Sequence, residues 1–176
     1  MRCFVCIKVP EEIRRELEVA ANLLRGIRGV SLAKEFHITL KFLGEIDTNV
    51  VEMVKARLEE VRYRRFKVEV RGLGFFPNRK RMRVIWAGAH SKELNDLAFE
   101  VDSALEKAGF TRERFSPHIT LARVKNFQER EKIGMALSKI LIKPSSFSVS
   151  SFFLERSELK REGPCYSDIA EFKLSE

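Results

Sequence analysis

The chain has 176 residues and a mass of 20.4 kDa, enough for one domain or for two small lobes sharing a core. It is 44% hydrophobic and 33% charged, so it can bury a core and stay in solution, which argues against global disorder. No apolar run approaches the roughly 18 residues that span a bilayer, and the opening MRCFVCIKVPEE runs from a short apolar stretch straight into acidic residues. Neither a transmembrane helix nor a secretory leader is expected, and the chain reads as cytoplasmic.

The net charge of +8 and a pI near 9.6 describe a surface that attracts polyanions, RNA and DNA being the commonest. Three cysteines do not make a disulfide framework. Cys3 and Cys6 lie three apart in a strand-like segment, where they point to opposite faces, so they read as buried small residues rather than a chelating pair. The single glutamine, Gln128, beside abundant Lys, Arg and Glu resembles the composition of heat-adapted proteins.

In chain order, residues 2–9 (RCFVCIKV) form a strand by their β-branched and aromatic content. Pro10 opens a helix, Ile13, Leu17, Ala20, Ala21 and Leu24 recur at helical spacing, and Gly26 ends it. FHITLKFL is a strand. Asp47 or Thr48 caps a second helix with Val50, Val54, Leu58 and Val61 on one face. FKVEVRGLGFF is a third strand, and the basic turn from Pro77 to Met82 leads onward. RVIWAGA is a strand; Ser91 caps a helix bearing Leu94, Leu97, Ala98, Val101 and Leu105, closed by Gly109. FSPHITLARV is a strand with Pro117 near its start, residues 127–141 a helix, and SFSVSSFFLE and CYSDIAEFKL strands.

This order is a repeat. Displacing the sequence by 81 residues brings Met1 and Arg2 onto Met82 and Arg83, Glu12 and Ile13 onto Glu93 and Leu94, and Leu24 onto Leu105. It also brings His37-Ile38-Thr39-Leu40 onto the identical His118-Ile119-Thr120-Leu121. The expectation is an α+β, bilobal two-sheet sandwich. Two β-α-β-α-β copies, about 1–76 and 82–155, would be related by a pseudo-two-fold axis, with helices outside, a central cleft and an extra strand at 165–174. The whole chain, 1–176, would be one bilobal domain.

Residues i and i+2 of a strand share a face. His37 and Thr39 therefore look one way, as do His118 and Thr120, while Ile38, Leu40, Ile119 and Leu121 turn to the helix-packed core. Symmetric lobes would bring two imidazoles and two hydroxyls to one cleft. That set suits phosphodiester cleavage: one imidazole takes a proton from the nucleophile, the other gives one to the leaving oxygen, and the hydroxyls donate to the non-bridging oxygens. The competing structural reading is a histidine kept twice by duplication. Two histidines with no Cys, Asp or Glu at ligand spacing make a poor metal site, so neither metal nor cofactor is expected. His90 lacks the motif and is assigned to a surface turn without a role.

The two H-x-T-L motifs, the opening M-R-x-F…P and the segment S-P-H-I-T-L-A-R resemble the two-histidine phosphoesterase superfamily, and within it the RNA 2′,3′-cyclic phosphodiesterases, also called 2′-5′ RNA ligases. The resemblance spans essentially the whole chain. It implies His37 as proton donor to the leaving O3′, His118 as proton acceptor from water, and Thr39 and Thr120 as holders of the phosphate oxygens. It further implies Arg123 as added positive charge at the phosphate and Phe42 as a stacking surface for a base. Strict alternation sets Phe42 and Arg123 on the face opposite their histidines, unless a bulge near the strand end redirects them. The implied reaction is metal-independent hydrolysis of RNA 2′,3′-cyclic phosphate ends to 2′-phosphates, with 2′-5′ ligation as a side activity and no protein partner. The alternatives are a non-catalytic RNA-binding protein and a phosphodiesterase for a small cyclic nucleotide. Arg79-Lys80-Arg81 and Arg62-Tyr63-Arg64-Arg65 are the segments that would follow an RNA backbone.

Overall fold

The computed structural model describes residues 1–176. It is α+β, with four α-helices and nine strands: β1 (Arg2–Lys8), α1 (Glu11–Asn22), β2 (Val30–Leu32), β3 (His37–Glu45), α2 (Thr48–Glu59), β4 (Phe66–Phe76), β5 (Val84–His90), α3 (Lys92–Glu106), β6 (His118–Val124), α4 (Arg130–Lys139), β7 (Ser145–Val149), β8 (Ser151–Lys160) and β9 (Gly163–Lys173). No helix is long and apolar enough to cross a membrane.

The helices follow their sequence signals, with shorter ends. Pro10 is the residue before α1 and keeps an extended ψ of 159°, and the chain beyond Asn22 leaves as turns that close at Gly26, whose φ is +78°. That conformation is open to glycine at little cost. The Asp47 side chain accepts from Val50 N at the start of α2, and Ser91 accepts from Leu94 N at the start of α3, each satisfying a first-turn donor. The fourth helix is three residues shorter at its start and two at its end than the expected 127–141. The segment expected as one strand at 146–155 is two, β7 and β8, because the chain changes partner at Ser150: β7 pairs β4 and β8 pairs β1. The three-residue β2 is additional, and pairs β6.

The strands join in the order β7-β4-β5-β6-β3-β1-β8-β9, antiparallel throughout, with β2 also on β6. The two expected sheets are thus wings of one curled sheet, linked by a single pair, Ile38 with Ile119. These residues are equivalent under the 81-residue repeat, so the pseudo-two-fold axis passes between them. The repeats also exchange strands. β4, from the first half, pairs β5 of the second, and β8, from the second half, pairs β1 of the first. Each wing is therefore built from both halves. The main core, 32 buried residues, likewise draws on both, from Val5, Ile7 and Leu17 to Leu97, Val101 and Leu154. Burying such side chains stabilises the fold by about 1.5–3 kcal/mol each.

Candidate active site

The antiparallel Ile38–Ile119 pair brings His37 toward Thr120 and Thr39 toward His118. Ile38 and Ile119 are fully buried on the helix side, while the two His-x-Thr pairs are partly buried on the other. Proximity has an electrostatic signature: His118 and Arg123 both bear on the His37 imidazole.

Each strand then departs from alternation at the same point. In the β1–β3 ladder, Val5 pairs Lys41 but Cys6 pairs Thr39, leaving Leu40 unpaired. In the β5–β6 ladder, Ile85 pairs Ala122 but Trp86 pairs Thr120, leaving Leu121 unpaired. These are β-bulges at repeat-equivalent positions. They put two consecutive residues, Leu40–Lys41 and Leu121–Ala122, on the buried side and turn Phe42 and Arg123 out on the histidine side. The structure thus takes the bulged alternative for both residues. Phe42 is 57% exposed and its ring lies 6.5 Å from Phe4, which itself lies 5.0 Å from the His37 ring.

Aromatic walls flank each imidazole. Tyr166, on β9, stands edge-on to His37 at 5.4 Å. Phe76 stands edge-on to His118 at 4.8 Å, with Trp86 at 6.1 Å. The indole lies across Gly74, where a Cβ would fall 2.2 Å from its ring. Sequence reasoning missed Phe4, Tyr166, Phe76 and Trp86. Phe76 and Tyr166 lie on strands that reach the site only through the exchange of β4 and the return of β9, Trp86 lies on β5 opposite Thr120 of β6, and Phe4 reads from sequence simply as core.

Burial pushes the His37 pKa down to about 4, reinforced by His118 and Arg123. His118 is lowered too, chiefly by burial and also by Arg123, against an opposing hydrogen bond between Nδ1 and the Ser116 carbonyl at 2.7 Å. A carbonyl only accepts, so that bond fixes the proton on Nδ1 and leaves the Nε2 lone pair of a neutral His118 free. A cavity of about 350 Å³ adjoins the site and is lined by Thr39, Phe42, Phe99, Phe115, Ser116 and His118 among others. A larger crevice of about 600 Å³, with Glu18, Arg25 and Lys34 in its wall, has no histidine in its lining.

No group of three or more His, Cys, Asp or Glu side chains comes together at metal-binding distance. His90 ends β5, exposed, with Nε2 3.3 Å from the Arg71 carbonyl oxygen. The triplet Arg79–Arg81 forms an exposed 3-10 turn between β4 and β5, with the Arg79 guanidinium 5.7 Å from the Phe75 ring; Arg64 pairs distantly with Glu93 at 3.9 Å.

The LigT-like phosphoesterase family model matches twice, over residues 7–86 and 88–166. An RNA 2′,3′-cyclic phosphodiesterase of Aeropyrum pernix is 40% identical over 147 residues, covering 81% of this chain and 84% of that protein. One of Archaeoglobus fulgidus is 36% identical, covering 98% of this chain and all of the relative. The crystal structure of TT0787 of Thermus thermophilus superposes with a TM-score of 0.81 at 31% identity, over 98% of this chain and 97% of that one. E. coli LigT complexed with 3′-AMP does so with a TM-score of 0.80 at 25% identity, over 99% and 98%.

Proposed function

The chain belongs to the LigT-like phosphoesterase family, and we propose that it hydrolyses RNA 2′,3′-cyclic phosphate ends to 2′-phosphates by a two-histidine acid–base mechanism. The observation that carries this reading is the convergence of both His-x-Thr pairs on one face across the Ile38–Ile119 axis.

His118 is the base. Its Nδ1–H is held by the Ser116 carbonyl, so Nε2 takes the proton of the attacking water. The water oxygen bonds to phosphorus, the P–O3′ bond breaks, and His37 delivers a proton to O3′. Thr39 and Thr120 donate to the non-bridging oxygens, and Arg123 adds positive charge where negative charge grows. Phe42, exposed at the rim, stacks on a base. Strain in the five-membered cyclic phosphate lowers the barrier, so the mechanism calls on no metal and turnover survives a chelator. A 5′-hydroxyl in place of water gives a 2′-5′ linkage by the same proton transfers, a side reaction limited by the high concentration of water. The basic segments around Arg79–Arg81 and Arg62–Arg65 follow the RNA backbone. Free thiols at Cys3, Cys6 and Cys165 suit a reducing cytoplasm.

The test offers the protein an oligonucleotide ending in a 2′,3′-cyclic phosphate beside a 2′,3′-cyclic mononucleotide. Preferential conversion of the oligonucleotide to a 2′-phosphate end supports the reading. A 3′-phosphate product contradicts O3′ as the leaving group, and equal rates on the two substrates contradict RNA as the substrate class.

A further inference from the structure

The two halves secure the segments leading into their histidines by different means. Ahead of His37, the backbone itself is paired: β2 lies on β6, with Leu32 opposite Ala122 and Ala33 N bonded to the Leu121 carbonyl. Ahead of His118, residues 110–117 have no regular secondary structure. Lys41, which the bulge turns inward, is held there instead.

Lys41 is 4% exposed. Its ammonium lies 2.7 Å from Asp102 Oδ1 of α3, in ionic contact without a directional hydrogen bond, and donates to the Thr111 carbonyl. Asp102 Oδ2 in turn accepts from Glu113 N at 3.3 Å. On the surface, Arg112 adds contacts to Glu106 at 2.8 Å and Ser103 at 3.1 Å. Three residues beyond Glu113, the same segment presents the Ser116 carbonyl to His118 Nδ1.

Under the 81-residue repeat, Lys41 corresponds to Ala122 and Asp102 to Ala21. The other half thus carries alanine at both positions, and both are buried. His37, correspondingly, has no side-chain hydrogen bond to the segment before it. The ion pair is therefore not required by the fold, since the fold contains an apolar version of the same junction. What it accompanies is the one imidazole of the His37–His118 pair whose tautomer is fixed by a carbonyl.

We propose that the buried Lys41–Asp102 pair is a positioning device for His118. It clamps residues 111–116 so that the Ser116 carbonyl holds the proton on Nδ1 and presents Nε2 to the nucleophile. The proposal rests on the acid–base reading above for its catalytic consequence, but not for its structural one. The charged or titratable groups around His118 are Arg123 on its own strand, His37 across the pair, and Lys41, Asp102, Glu113 and Arg114, which line the same cavity; Phe76 and Trp86, its ring neighbours, are neutral.

The experiment compares Asp102→Asn, Lys41→Met and the double variant Lys41→Ala/Asp102→Ala. Single replacements leave a buried charge without its partner and lower stability. The double variant removes both charges, copies the alanine pair of the other half, and recovers melting temperature relative to the worse single variant. Nitrogen-15 NMR of the imidazoles reads the outcome. In the parent, neutral His118 is the Nδ1–H tautomer alone. In the folded double variant it becomes a mixture and titrates at lower pH, with His37 unchanged. Turnover of the cyclic-ended oligonucleotide falls on the order of tenfold to a hundredfold in kcat, while KM moves less than about twofold. A folded double variant that keeps the single tautomer, the parental His118 titration and the parental kcat overturns the proposal. The NMR result stands whether or not the parent turns over cyclic phosphate, so failure of the functional reading and failure of this proposal are told apart.

Discussion

In the proposed reaction His37 is the general acid and must carry a proton, yet burial, His118 and Arg123 hold its free imidazole at a pKa of about 4. At neutral pH it is unprotonated in the empty cleft, so the substrate's phosphate has to supply the missing stabilisation. Raising the pKa from about 4 to near 7 requires about 4 kcal/mol of preferential interaction with the imidazolium, at 1.36 kcal/mol per unit. A phosphate monoanion about 4 Å away supplies about 4 kcal/mol at an effective dielectric of about 20. The two magnitudes match, and one proton should enter as the phosphate binds. NMR titration of His37 with a nucleoside 2′-monophosphate, the product class of the proposed reaction, tests this. The expected result is a titration near pH 4 in the free protein that moves upward by about three units when the site is filled. Ligand affinity should fall about tenfold per pH unit between the free pKa and the pKa of the complex, and level off above the latter. A His37 titration that stays near its free value with ligand bound, or that already sits at about 6.5 without it, refutes the reasoning.

The same depression has a cost in stability. The folded pKa of His37 lies below the unfolded value of about 6.5, so the unfolded chain binds the proton more readily. Stability is unaffected above about pH 6.5, declines as the pH falls below it, and has lost about 3 kcal/mol by about pH 4. Denaturant unfolding of the parent and His37→Gln at about pH 7.5 and pH 4 should show the parent losing about that much more than the variant; equal losses would contradict the burial of the imidazole. Gly74→Ala sets a methyl 2.2 Å from the Trp86 ring, which is packed 5.0 Å from Phe76 and 6.1 Å from His118. Overpacking of this kind costs about 1–3 kcal/mol. The displaced indole should also lower kcat; a variant with parental melting temperature and kcat would mean that the ring moves freely.

Much of this site is legible in the sequence because duplication writes it twice. The 81-residue offset, the two H-x-T-L tetrapeptides and the two-residue period locate His37, Thr39, His118 and Thr120, and the helical spacing finds all four helices. What stays hidden is non-local. A bulge is one residue left out of a ladder, and nothing in FHITLKFL marks Leu40 as that residue. The directions of Phe42 and Arg123 follow from that omission and are invisible to strict alternation. The exchange of β4 and β8 between wings is a choice of partner, not of local conformation, so the repeat predicts two lobes without revealing that each borrows a strand. β2 has three residues, too few for a period, and Ser150 divides a run whose composition is strand-like on both sides. Lys41 reads from its type as a surface residue. Only the structure shows it turned inward, and only then does its pairing with Ala122 across the repeat become informative.

The sharpest experiment is single-turnover cleavage of a 2′,3′-cyclic-ended oligonucleotide by the parent, His37→Ala and His118→Ala, with folding and RNA affinity checked alongside. Each variant should stay folded, keep most of its affinity for the RNA and lose turnover by at least about a hundredfold. Undiminished cleavage by either folded variant would remove that imidazole from the proton transfers and end the two-histidine account.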